Sequence, residues 1–124
     1  MIERPRKEKY SNLIVGLNAT NPPMGQCLES CCDCADQGDW YTSGEWNTPK
    51  DEEVLKAAAK CTSITGKVAD IIVEPNQKVT KELLKECINT LSQEKSKFSS
   101  EQNTKYRGEI ERCIETCGTL LLKI

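Results

Sequence analysis

Apolar residues recur at intervals of three and four along most of the chain, the period of a helix with one buried face. The pattern predicts helices at about 24–38, 49–73 and 79–97, and a fourth helix from a break at 99–103 to the end. No segment has the alternation of a useful strand. Helices joined by short turns, apart from a longer loop at 39–48, predict an all-α fold: an antiparallel up-down-up-down four-helix bundle.

Particular residues mark the expected ends of these helices. Gly38 is expected to end the first helix, since glycine commonly follows a helical C-terminus. Thr48 and Pro49 are expected to begin the second, as a hydroxyl cap followed by proline at the first helical position. Pro75 follows its end, because proline cannot continue the hydrogen-bond ladder.

The first 23 residues contrast with the rest of the chain. They contain Pro5, Gly16, Pro22 and Pro23, which favour turns over long helices. We therefore predict a flexible N-terminal arm at 1–23 and a four-helix bundle at 24–124.

Composition and charge argue against several classes of function. The net charge is −2, with 17 basic and 19 acidic residues interspersed, which argues against a nucleic-acid partner or an anionic membrane surface. No apolar stretch is long enough to span a membrane. The N-terminus lacks the apolar run of a secretory signal, so a cytoplasmic protein is expected. Metal ions are the expected partners, and a homo-oligomer is left open.

The chain contains no histidine, which removes the commonest general base and the Cys-His nucleophile arrangement. No glycine-rich phosphate loop or nucleophile elbow is present either. We expect no enzyme. Cys32 is the only candidate nucleophile, because it lies off the stripe formed by its neighbours, and surface exposure explains that position equally well.

Eight cysteines carry the candidate chemistry. At about 100° per residue, Cys27, Cys31 and Cys34 fall within roughly 60° of one another on a helix. Cys113 and Cys117 repeat the four-residue spacing on the last helix, which lies beside the first in an up-down bundle. The two groups can therefore meet and share a soft ion, Cu(I) foremost and zinc second. A purely structural core of buried thiols is the alternative.

Several stretches resemble the cysteine-rich four-helix copper-storage proteins of bacteria. They are the run QCLESCCDCA from Gln26 to Ala35, the helices around Cys61 and Cys87, and the run RCIETC from Arg112 to Cys117. In that family, thiols line the bundle interior and bind many Cu(I) ions. The resemblance covers roughly residues 24–124 and implies metal ligands at Cys27, Cys31, Cys34, Cys61, Cys87, Cys113 and Cys117.

The chain also departs from that family's cysteine rhythm. The positions where the rhythm would place further thiols are Gly38, Tyr41, Val68, Ile72, Leu91, Glu94, Phe98, Ile110, Leu120 and Ile124. Most of the residues at these positions are apolar. A core in which apolar side chains stand in place of thiols should fold without metal and bind fewer ions.

Three functions follow. The first is a small cytoplasmic metal-binding protein that sequesters Cu(I) through core cysteine thiolates at reduced capacity. The second is a structural or interaction bundle that has lost metal binding and offers an outer helical face, or the loop with Trp40 and Trp46, to a partner. The third is an exported helical protein with up to four disulfides.

Overall fold

The computed structural model describes residues 4–42, 52–99 and 103–124, and over these residues it is all-helical, without strands. The all-α class predicted from the sequence is confirmed. The elements are α1 Arg6–Lys9, α2 Ser11–Thr20, α3 Pro22–Thr42, α4 Glu52–Val73, α5 Lys81–Glu94, a 3-10 turn Lys95–Lys97, and α6 Thr104–Lys123. Across the described ranges, none of these helices is long and apolar enough to cross a bilayer.

The core lies among α3, α4, α5 and α6. Helix α3 packs against α4 and α6, and α5 also packs against α4 and α6. The apolar residues that replace thiols of the copper-storage rhythm lie mostly inside: Val68, Leu91, Phe98, Ile110 and Leu120 are at most 1% exposed. Burying each such side chain stabilises the fold by about 1.5–3 kcal/mol.

Two predicted helix boundaries can be compared directly. Helix α4 ends at Val73, immediately before Glu74 and Pro75, as predicted. Helix α5 begins at Lys81, two residues after the predicted start at about 79, because Thr80 caps it: its side chain accepts a hydrogen bond from the Leu83 amide at 3.1 Å. The cap predicted at Thr48 and Pro49 lies outside the described residues.

The prediction that Gly38 ends the first bundle helix is wrong, since α3 continues through it to Thr42. Gly38 is buried between α4 and α6. A Cβ atom at this position would collide with the Thr62 hydroxyl and would lie 2.7 Å from the Tyr106 hydroxyl. The glycine therefore permits close helix packing.

Replacing Gly38 with alanine is expected to destabilise the protein by about 1–3 kcal/mol, because the overpacking outweighs the better helix propensity of alanine. The matched control is Gly108→Ala on α6, where a Cβ meets no atom within 4 Å. That substitution should stabilise the protein by about 0.5–1 kcal/mol. Urea denaturation of the metal-free variants measures both changes, and equal effects at the two glycines would contradict this packing role.

The prediction of a flexible arm at 1–23 is also corrected by the structure. Residues 6–9 and 11–20 are helical, and both α1 and α2 pack against α3. Helix α3 begins at Pro22, two residues before the predicted start. Proline suits the first position of a helix because its missing N–H would have no partner there.

Tertiary contacts explain why the N-terminal segment is ordered. Asp36 on α3 accepts a hydrogen bond from the backbone amide of Arg6 at 2.8 Å, which satisfies a free amide at the start of α1. Tyr10 donates its hydroxyl proton to Asp70 on α4 at 2.8 Å. Ile14 is buried in the core. These partners are 30 to 60 residues away in the chain, so local sequence patterns do not encode them.

Candidate metal centre

Three thiols of α3 face the core, as their helical spacing predicts. Cys27, Cys31 and Cys34 are fully buried. On α6, Cys113 and Cys117 are also fully buried, one turn apart. The prediction that these two groups meet is confirmed: the Cys27 and Cys117 sulfur atoms lie 3.5 Å apart, and those of Cys31 and Cys113 lie 3.4 Å apart.

Four sulfur atoms form a compact cluster that we call the four-thiol group. It comprises Cys31, Cys87, Cys113 and Cys117, whose sulfur atoms all lie within 4.8 Å of one another and which come from three helices. From the sequence, only the resemblance to the copper-storage proteins implied Cys87 as a ligand. The structure brings it into the centre of the site because α5 packs directly against α6.

The sulfur spacing suits a soft metal ion. Tetrahedral coordination at about 2.3 Å from metal to sulfur requires sulfur atoms about 3.8 Å apart. Cys117 lies 3.8 Å from both Cys31 and Cys113, sulfur to sulfur. The group could therefore close around one ion with small side-chain movements.

Hydrogen bonds among the thiols shift their pKa values in opposite directions. Cys113, Cys117 and Cys31 all hydrogen-bond to Cys87 and together lower its pKa. Cys117, followed by Cys31, lowers the pKa of Cys27 to about 5. Hydrogen bonds to Cys113, first among the causes, raise the pKa of Cys31 and of Cys117. The cluster therefore favours loss of a first proton and resists loss of later ones, which a bound cation would reverse.

Cys34 and Cys61, two further predicted ligands, are fully buried but are not members of the four-thiol group. Burial raises the pKa of Cys61 to about 12 and holds that of Cys34 well above its ordinary value. Both thiols interact electrostatically with Cys113 and Cys87. They extend the thiol-lined interior toward α4 as neutral core groups.

Three aromatic rings fill the interior beyond Cys34 and Cys61. The ring centroids of Phe98 and Tyr106 are 4.7 Å apart, and Tyr41 lies 5.7 Å from Tyr106. Tyr41 donates its hydroxyl proton to Asn103 at 2.8 Å. Hydrocarbon and aromatic side chains thus occupy positions that continue the thiol rhythm.

Cys32 differs from its prediction. It lies off the thiol stripe as expected, but it is fully buried and not exposed. Burial, reinforced by the charges of Asp36 and Asp33, raises the pKa of Cys32 to about 12. Because the thiolate is the nucleophile, this environment is a poor one for a reactive cysteine.

Both tryptophans were expected in the loop at 39–48. Trp40 instead lies within α3, where it is 45% exposed. Trp46 lies outside the described residues.

Sequence reasoning missed the polar contacts that join α3 to α6 outside the thiols. The hydroxyl groups of Ser30 and Thr116 hydrogen-bond to each other. Arg112 donates to Asp33 at 2.7 Å and to Glu29 at 3.0 Å. The four-residue spacing of Glu29 and Asp33 was the only available signal, since it places both acids on one helix face.

The helices and the four-thiol group together define a helical, cysteine-rich protein with a cluster that could hold a metal ion. No protein-family model, curated protein or solved structure matches this chain.

Proposed function

We propose that this protein sequesters Cu(I) through core cysteine thiolates, at lower capacity than the copper-storage proteins that its cysteine motifs resemble. The observation that carries the proposal is the four-thiol group, with four buried sulfur atoms from three helices within 4.8 Å of one another. Sequestration follows from burial, because the surrounding side chains shield a bound ion from water and competing ligands.

Donor softness and charge favour Cu(I) over zinc. Thiolates are soft ligands that select Cu(I) as well as zinc. Two thiolates around Cu(I) carry one net negative charge, whereas four thiolates around zinc carry two, and a larger uncompensated charge is costlier to bury. Cys27, 3.5 Å from Cys117, offers a fifth sulfur atom that a single tetrahedral zinc ion would not use.

The proposed framework is an antiparallel four-helix bundle of α3, α4, α5 and α6. Its support is the pairing of helices, in which α3 and α5 each pack against both α4 and α6. The order of contacts between α3 and α6 adds to it: Cys27 meets Cys117 and Cys31 meets Cys113, so residue numbers rise on one helix as they fall on the other.

Low capacity follows from the side chains around the thiols. Val68, Leu91 and Ile110 are fully buried, and the aromatic rings of Tyr41, Phe98 and Tyr106 fill the region past Cys61. A reducing compartment such as the cytoplasm suits the free thiols of all eight cysteines. We propose one to a few ions per chain and no catalytic activity.

Titration of the reduced, metal-free protein with Cu(I), in competition with a colorimetric Cu(I) chelator, tests the proposal. We expect at least one tightly bound ion per chain. Because a ligand that binds only the folded state stabilises it, a thousandfold excess over the dissociation constant should add about 4 kcal/mol to the unfolding free energy. Fewer than one ion per chain would overturn the proposal, and preferential saturation by zinc would replace copper with zinc.

One observation favours a structural or interaction bundle as the second candidate. The buried side chains include large apolar groups such as Leu84, Leu91 and Phe98, so the core does not depend on an ion for its packing. Stability that is identical with and without Cu(I), both in the wild type and after serine replacement of Cys31 and Cys117, would favour this candidate.

A further inference from the structure

Beside the Ser30–Thr116 hydrogen bond, an arginine that bridges two carboxylates joins α3 to α6 outside the thiols. The Arg112 guanidinium lies 2.7 Å from the nearer Asp33 oxygen and 3.0 Å from the nearer Glu29 oxygen. Glu109 on α6 adds a longer contact of 3.8 Å. The side chains of Asp33 and Glu29 are only 17% and 28% exposed, so solvent screens this cluster less than an ordinary surface ion pair.

This bridge is at the level of the metal centre. Arg112 directly precedes Cys113, and the two carboxylates flank Cys31, two residues before it and two residues after it. The sulfur atoms of Cys31 and Cys113 lie 3.4 Å apart on the inner side of the same pair of helices. Any change in the spacing of α3 and α6 at the bridge would therefore change that sulfur distance.

The shared site places a geometric demand on this pair of helices. Two thiols that share a tetrahedral ion need their sulfur atoms about 3.8 Å apart, and the sulfur atoms of Cys31 on α3 and Cys113 on α6 already lie 3.4 Å apart. A guanidinium held by two carboxylates on the opposite helix keeps the two helices at that distance.

We infer that Arg112 is a positioning residue for the thiol site: by bridging Glu29 and Asp33 it holds α3 and α6 at the spacing at which Cys31 and Cys113 share one ion. The inference rests on the proposed function. Arg112 itself does not touch the ion. Asp33 also pairs with Lys7 at 3.2 Å, so the same carboxylate links the N-terminal segment to the Arg112 bridge.

The chain offers a matched control on the same helix. Arg107 pairs with Glu111 at 3.6 Å, within α6, at a similar exposure of 40% against 41% for Arg112. Arg107→Ala removes the same charge and side chain from α6 but leaves the ion pairs of Arg112 with α3 in place. Arg112→Lys keeps the charge but cannot reach two carboxylates with a planar fork.

The first readout is the Cu(I) affinity from chelator competition, on variants whose helicity is checked by circular dichroism. Arg112→Ala is expected to weaken the affinity about tenfold, the lower end of the range for residues that orient metal ligands. The number of ions should be unchanged, Arg107→Ala should match the wild type, and Arg112→Lys should recover part of the loss. Equal affinities of the two alanine variants would overturn the positioning role.

The second readout needs no metal. Diamide converts two thiols to one disulfide and itself takes up the two electrons and two protons. Peptide mapping then gives the yield of the Cys31–Cys113 disulfide, which demands close approach of the two Cβ atoms. We expect at least a twofold lower yield in Arg112→Ala than in Arg107→Ala, and equal yields would contradict the inference.

The two readouts separate the possible failures. A wild-type protein that binds no Cu(I) would end the proposed function, while the cross-linking yield would still decide whether Arg112 sets the spacing of α3 and α6. If Arg112→Ala loses helicity, Glu29→Gln removes one half of the bridge and takes its place in both measurements. Unchanged affinity and unchanged cross-linking in that variant would also overturn the inference.

Discussion

Replacing Cys87 with serine is expected to lower the Cu(I) affinity about a hundredfold. Cys87 is the α5 member of the four-thiol group, and its sulfur lies within 4.8 Å of the other three. Structural zinc sites in zinc-finger peptides contribute about 10–16 kcal/mol in total, so by the same scale one of four ligands contributes roughly 3 kcal/mol, about two powers of ten in affinity. A serine hydroxyl is a hard donor and does not replace a thiolate on Cu(I).

The matched control is Cys32→Ser, another fully buried thiol replaced in the same way. Cys32 is outside the four-thiol group, so its loss should leave the affinity within about twofold of the wild type. Chelator competition at neutral pH under reductant measures both variants. If Cys87→Ser and Cys32→Ser bind Cu(I) equally well, the four-thiol group is not the metal site.

The second large effect is an alkaline loss of stability in the metal-free, reduced protein. Burial is the first cause that raises the pKa of Cys32 and of Cys61 from the ordinary value of 9.0 to about 12. The folded state therefore holds these protons more tightly than the unfolded state does. Their contribution is fully present below about pH 9 and is lost as the pH rises toward about 12.

The expected size follows from the shift of the pKa. Three pKa units correspond to about 4 kcal/mol for each thiol, as an upper value. Urea denaturation at a series of pH values from about 8 to 11 should give a falling free energy of unfolding. Cys32→Ala removes one of the titrating groups and should flatten that decline. A decline as steep in Cys32→Ala as in the wild type would show that Cys32 does not titrate in this way.

Much of the helical core was predictable because the relevant signals are local. The apolar period along 52–73 and 81–94 identified both the helices and the sides that are buried, including Cys61, Leu84 and Leu91. Pro75 marked the end of α4 because a proline cannot donate to the helical ladder. Repeated four-residue cysteine spacing on two helices also predicted that the thiols of α3 and α6 can meet, as Cys31 and Cys113 do.

The errors share a physical cause. Gly38 stands inside a helix because α4 and α6 approach there, and Cys32 is buried although its angular position sets it apart from the thiol stripe. The N-terminal segment is helical because Asp36 and Asp70 supply partners from other helices. Each of these features depends on what lies opposite a residue in space.

The sequence by itself determined the helical class, the faces that turn inward and the presence of soft ligands without histidine, because periodicity and residue chemistry are properties of the chain alone. Only the tertiary structure decided which thiols form one group. It brought Cys87 of α5 to Cys31, Cys113 and Cys117, left Cys34 and Cys61 beside that group, and set Arg112 across α3 and α6. Those assignments depend on helix packing, which joins residues that are far apart in sequence.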